Sequence, residues 1–195
     1  MTDFEYPKGA TPLDPNEIEG LIPKHITTQG ELDRWEQDNI NEALAWVDSH
    51  KPKNILNEAF MKQLHKRMFG NVWKWAGTFR RVDKNIGVSW RMIPNDLKHL
   101  CDDIEYMIEQ KEIPKDETAA LFHHRLVRIH LFPNGNGRHA RLMTDLLLEW
   151  ILNRPPFTWG SANLAKTGND RAKYVESLKA ADNGNYKQLL DFVRS

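Results

Sequence analysis

At Gly137 the chain changes from a tight polar turn to an amphipathic helix, and this junction limits the possible fold more than any other stretch. After Gly135-Asn136-Gly137, the apolar residues Leu142, Met143, Leu146, Leu147, Trp150 and Ile151 recur at spacings of three and four, the repeat of a helix with one buried side. The N-terminus of that helix therefore lies at the glycines. Its first amides have no intrahelical acceptor, and the positive end of the helix dipole adds to them, so such a terminus suits phosphate or sulfate. Arg138 and Arg141, three residues apart, share a face in the first turn. Cations there oppose the dipole, and a bound polyanion gripped by guanidinium groups explains their position. For an isolated Arg141 the ordinary alternative is a surface pair with Asp145 at i+4. His130 stands just upstream, and an imidazole can take a proton from a hydroxyl near neutral pH. Together these residues point to phosphate chemistry.

The rest of the chain reads mainly as helices. Thr28-Gln-Gly-Glu31 is a capping box and predicts a helix from Thr28 to about Ser49, with Leu32, Ile40, Ala43, Leu44 and Val47 on its apolar face. A second helix is expected from about Leu56 to Phe69, with Phe60, Leu64 and Met68 on one side. Between Gly77 and Ile93, β-formers surround a polar turn, and a short hairpin fits. Further helices are expected at about 95–110 and 115–129, the latter burying Ala119, Phe122, Leu126 and Ile129. After the helix that follows the glycines, Pro155-Pro156 stop the chain, and two closing helices are expected at about 172–181 and 185–193. Four prolines before residue 27 make residues 1–27 an irregular N-terminal arm. The expected class is all-α, a compact helical bundle with one short β-hairpin, organised as an arm (1–27) and a single domain (28–195).

Composition narrows the partners. Twenty-seven basic and 27 acidic side chains cancel, so no global field draws the chain to nucleic acid or to anionic lipid. Cys101 is the only cysteine, which rules out an intramolecular disulfide and fits a reducing compartment. The first residues lack a basic start and an apolar run, and no stretch of eighteen apolar residues occurs. A cytoplasmic location with no membrane partner is expected. His123, His124 and His139 do not form an HxxxH pair, and zinc is not expected.

The ungapped block His130-Leu-Phe132-Pro-Asn134-Gly135-Asn136-Gly137-Arg138-His-Ala-Arg141 resembles the signature HxFx(D/E)GNGRxxR of the Fic/Doc family. The resemblance implies a Fic-like helical core that binds ATP with Mg²⁺ and transfers AMP to a Ser, Thr or Tyr hydroxyl of a protein. Carried onto this chain, it implies His130 as general base, Phe132 as the apolar anchor of the loop, and Gly135, Asn136 and Gly137 as the anion cradle. Arg138 and Arg141 would hold the phosphate tail, and position 134 the metal. There the chain departs from the family: Asn134 stands where a carboxylate is usual, and a neutral oxygen holds a hard dication more weakly. The resemblance also implies that the hairpin is a flap docking the target peptide by strand addition, at Ile86, Gly87 and Val88. An ordinary connecting hairpin fits the residues equally well.

Glu36 lies between Leu32 and Ile40 on the apolar stripe of the first helix, and a buried carboxylate needs a cation or donors. Many Fic proteins carry an inhibitory motif, (S/T)xxxE(G/N), whose glutamate pairs with the second signature arginine. The chain has no full copy, and Glu31 is explained by the capping box. The expectation is that Glu36 reaches Arg141 and tempers ATP binding, against the alternative of a packed glutamate held by another donor. An antitoxin-like partner is the other implied source of control. Three functions stay open: AMP transfer, a Doc-like kinase or other phosphate-linked transferase on the same fold, and a non-catalytic nucleotide-sensing module. The intact Gly135-Asn136-Gly137 favours the first.

Overall fold

The computed structural model describes residues 18–161 and 169–195, and most of the expected N-terminal arm lies outside that range. Within it the chain is built from helices joined by turns and by a longer non-helical segment at 70–89. It forms two compact units. One contains the residues up to Arg81 together with Phe132–His139, and the other Val82–Leu131 with Ala140–Ser195.

In the first unit, α1 spans Gln29–His50 and starts at the expected capping box. Thr28 Oγ1 accepts the Glu31 amide at 3.3 Å, and Glu31 Oε2 accepts the amides of Thr28 and Thr27 at 3.2 and 3.1 Å. Its buried stripe is Leu32, Glu36, Asn39, Ala43 and Val47. Leu44, expected on that stripe, is exposed. Asn39 takes an inward position because it has work to do there: its amide donates to Arg67 O at 3.0 Å and its oxygen accepts Asn71 N–H at 3.0 Å. It thereby satisfies groups at the end of α2 (Glu58–Phe69). Asn57 caps the start of α2 by accepting the Phe60 amide at 2.8 Å. Residues 19–27, the described part of the expected arm after a last helical residue at 18, form turns and a bend tied to the chain after α2. Ile22 N–H donates to Val72 O and Lys74 N–H to Gly20 O, both at 2.8 Å, and Leu21 and Ile26 are buried.

In the second unit, Ile93, Leu97, Leu100, Cys101 and Ile104 form the buried face of α3 (Ile93–Gln110), and α4 (Lys115–Ile129) packs beside it. Arg125 Nη1 reaches Asp103 at 2.7 Å between them. α5 runs Asn136–Leu146 and gives way to a π-helical turn at Leu147–Ile151. The closing helices α6 (Asn169–Asp182) and α7 (Lys187–Val193) pack on each other. Arg194 binds Asp116 in the first turn of α4 with two bonds of 2.8 Å and holds the chain end there.

The hairpin expected at 77–93 is absent from the structure. These residues form turns, bends and the 3₁₀ turn Trp90–Met92, with Trp90 N–H donating to the Asp83 side chain at 2.8 Å. Alternating β-formers do not suffice when two short strands have no sheet to join. Arg80 is buried, while Val82 and Ile86 stand 60% and 64% exposed, so the sequence alternation does not sort the segment into an inner and an outer face. Among the described residues no helix is long and apolar enough to cross a membrane.

Candidate functional site

The signature residues are divided between the units. His130 belongs to the second, Phe132–His139 to the first, and Arg141 again to the second. His130 is the C-cap of α4, with φ 57° and ψ 67°, and its amide donates to Leu126 O at 3.3 Å. A non-glycine residue in the left-handed region costs of order 1–3 kcal/mol and is often found at functional positions. Here it turns the chain sharply out of the helix.

In the first unit, Phe132 is fully buried and stacks on His65 with ring centroids 3.7 Å apart. The Asn136 side chain grips the backbone of the same residue from both sides. Its oxygen accepts Phe132 N–H at 2.8 Å and its amide donates to Phe132 O at 2.7 Å. The side chain of Asn136 is thus spent on closing the loop, and what it can offer an anion is its backbone N–H. Gly135 has φ +76°, and a Cβ there would come within 2.7 Å of the Phe69 ring, so only glycine fits. Its amide donates to Asn134 Oδ1 at 2.6 Å. The first bond of α5 runs from His139 N–H to Gly135 O at 3.0 Å, which places the amides of Asn136, Gly137 and Arg138 ahead of the helical ladder. The Gly135 amide, expected as part of an anion cradle at 135–137, is thus turned to the Asn134 side chain.

Glu36 accepts Trp73 Nε1–H at 2.7 Å and pairs with Arg138 Nη1 at 2.6 Å. The expected arginine partner exists, but it is the first arginine of the signature, in place of the Arg141 that the sequence suggests. The side chain of Glu36 is 5% exposed and that of Arg138 28%, and the guanidinium also lies 4.8 Å from the Phe69 ring centroid. His139 is buried and donates from Nε2 to Met61 O at 3.0 Å, and burial pushes its pKa down to about 4.

In the second unit, Arg141 lies 6.0 Å from the Tyr174 ring centroid. The Tyr174 hydroxyl is 2.8 Å from His123 Nε2. Thr144 donates to Ala140 O at 2.8 Å, so at 3.3 Å it accepts from His123 Nδ1, which leaves Nε2 to accept the tyrosine proton. Burial, with the Arg141 charge adding to it, lowers the His123 pKa to about 3. Asp145 accepts Trp159 Nε1–H at 3.1 Å and Phe157 N–H at 3.2 Å, and burial raises its pKa to about 6.

Sequence reasoning does not single out His65 or Trp73 as site residues. His65 has one visible signal, a polar residue beside the apolar Leu64 and Met68 on the buried side of α2.

Residues 55–148 match the Fic/DOC family model. The chain belongs to the Fic/DOC family. It is 30% identical over 135 residues to "Protein adenylyltransferase Fic" of Drosophila grimshawi, an alignment covering 67% of this chain and 26% of that protein. Thus the chain spans about a quarter of the length of that curated relative. Among solved structures it is similar to Fic-1 from C. elegans, with TM-score 0.61 and 26% identity over 80% of this chain and 45% of the other. It also shares its fold with BepC from Bartonella tribocorum, solved with bound AMPPNP, at TM-score 0.65 and 17% identity, covering 93% and 97% of the two chains. The Fic/DOC match includes the whole signature, from His130 to Arg141.

Proposed function

We propose that this Fic/DOC protein is a protein adenylyltransferase that moves AMP from ATP to a Ser, Thr or Tyr hydroxyl of a target protein. The observation that carries the reading is the loop before α5. A left-handed Gly135 and the doubly bonded Asn136 side chain leave the amides of Asn136, Gly137 and Arg138 at a helix N-terminus. The intact glycines favour AMP transfer over a Doc-like kinase. The adenylyltransferase name of the Drosophila relative and the nucleotide analogue bound to BepC support it.

In this mechanism His130 accepts the proton of the target hydroxyl, and the oxygen attacks the α-phosphorus as the bond to the bridging oxygen of the β-phosphate breaks. The loop amides, Arg138 and Arg141 meet the charge that develops on the departing pyrophosphate. The family resemblance adds Mg²⁺ at position 134. Asn134 does not fit a tight magnesium site, because its Oδ1 is neutral and already accepts the Gly135 amide at 2.6 Å. The steps above are carried by the protein's own groups.

Residues 86–88 are the assigned docking strip for the target. Ile86 is exposed, and in this reading the target lies along the strip as an extended peptide. Glu36 is assigned as a brake, since its hold on Arg138 Nη1 competes with phosphate. An antitoxin-like regulator is the alternative control, and the single cysteine, buried Cys101, suits a reducing cytoplasm.

Parallel incubations of a cell lysate with α-labelled and γ-labelled ATP test the assignment. Wild type should transfer label to protein from the α position only, and His130→Ala should abolish it. Transfer from the γ position would make the protein a kinase, and no transfer would leave a binding module.

A further inference from the structure

We propose that His65 is a positioning residue that sets the nucleotide-binding conformation of the loop by clamping the Asn134 carbonyl to the chain at Gly77. The inference rests on the nucleotide reading above and names a residue that this reading does not use.

The geometry fixes both ends of the imidazole. Gly77 N–H donates to His65 Nδ1 at 3.0 Å, so Nδ1 carries a lone pair. Nε2 must then carry the hydrogen, and it lies 3.1 Å from Asn134 O, to which it donates. The ring is fully buried. It is held flat against Phe132 at 3.7 Å and flanked by Phe69 at 4.8 Å. Burial, with the nearby Arg138 guanidinium opposing a second positive charge, keeps the imidazole neutral by lowering its pKa well below the usual histidine range. A neutral ring with one donor and one acceptor is what this bridge needs.

The Asn134 carbonyl belongs to the peptide that enters Gly135. If that carbonyl is held, the orientation of the Asn134–Gly135 peptide plane is held with it, and so is the left-handed Gly135 that presents the next amides. The packing agrees with this role. A Cβ on Gly135 would meet His65 Nε2 at 3.2 Å as well as Phe69, so the glycine sits directly against the clamp. At the other end, Gly77 has φ +77° and opens the segment 77–93 that holds the proposed docking strip. The imidazole therefore joins the start of that segment to the phosphate loop within the first unit.

The two bonds can be separated by substitution. In His65→Gln the side-chain amide reaches the position of Nε2 and can donate to Asn134 O, whereas in His65→Asn the shorter side chain reaches only the position of Nδ1 and can serve only Gly77. ATP binding by calorimetry, KM and kcat for transfer from α-labelled ATP, and thermal unfolding are measured on the full chain for wild type, His65→Gln and His65→Asn. At matched stability, His65→Asn should weaken ATP binding and raise KM about tenfold or more, and His65→Gln should restore most of the loss. Equal ATP affinity in all three proteins, or a loss that follows unfolding alone, overturns the role of His65. If wild type itself binds no ATP, the nucleotide reading fails first, and the clamp fails with it as a positioning device for nucleotide.

Should both variants fail to fold, ¹⁵N-histidine spectra of the wild type provide the test. The His65 signals should report hydrogen on Nε2 and a bare Nδ1, and the Nε2 signal should move as AMPPNP is added. An opposite tautomer, or an Nε2 signal unmoved at saturation, overturns the proposal.

Discussion

Glu36 Oε2 lies 2.6 Å from Arg138 Nη1, so an acid on the buried stripe of α1 holds the first arginine of the signature. Its other oxygen accepts Trp73 Nε1–H. Glu36→Gln keeps an acceptor for the indole and removes the charge that competes with phosphate. AMP transfer and ATP affinity should rise several-fold, with a stability loss of about 1–3 kcal/mol. Unchanged or reduced transfer in the variant, measured with labelled ATP, would reduce Glu36 to a packing role.

Asn136 closes the loop on Phe132 through two buried hydrogen bonds. Asn136→Ala leaves a buried donor and a buried acceptor unsatisfied, at about 1–3 kcal/mol each. Urea unfolding should show a lower midpoint with an unchanged m-value, and ATP affinity should fall with it. A midpoint within error of wild type would mean that the loop does not need this closure.

Gly135→Ala should suffer twice. Alanine at φ +76° costs about 1–2 kcal/mol, and its Cβ meets the Phe69 ring at 2.7 Å. Adding Phe69→Leu should relieve the contact but leave the backbone cost, so the double variant should recover only part of the stability. Full recovery in thermal melts would show that the glycine is needed for space alone.

The buried histidines predict an acid-sensitive fold. His65, His123 and His139 all have lowered pKa values, the last two to about 3 and about 4. Below pH 6.5 the unfolded chain gains protons that the folded chain refuses, so stability falls as pH drops through this window. Asp145 acts in the opposite sense. Its pKa is raised to about 6, so between about pH 4 and 6 the folded state holds a proton that the unfolded state has lost. Near pH 5 the three rings outweigh Asp145, so unfolding takes up protons on balance and stability has a positive slope against pH there. Denaturant titrations at pH 6 and pH 5 give this slope, and His139→Gln should lower it by about one proton. A flat profile between pH 6.5 and 4.5 would contradict the buried neutral rings.

Local chemistry is legible wherever the signal is also local. The capping box at Thr28, the span of α4, and the loop-to-helix junction before Arg138 all follow from spacing and cap chemistry within a few residues. The hairpin expected at 77–93 fails for the same reason. Strand alternation is a local pattern, but a strand exists only through a partner strand, and this segment forms turns and bends without one. Leu44 and Asn39 exchange places on α1 because the end of α2 needs a side-chain amide.

By itself the sequence determined the main helices and the turn that precedes α5, since helix periodicity, caps and glycine turns act over a few residues. Only the tertiary structure decided which groups meet over long separations: Glu36 with Arg138, His65 with Asn134 and Gly77, Tyr174 with His123. The reason is physical. A buried charge or imidazole must find a partner, but many side chains of the right type are present, and the choice among them is made by how the helices pack.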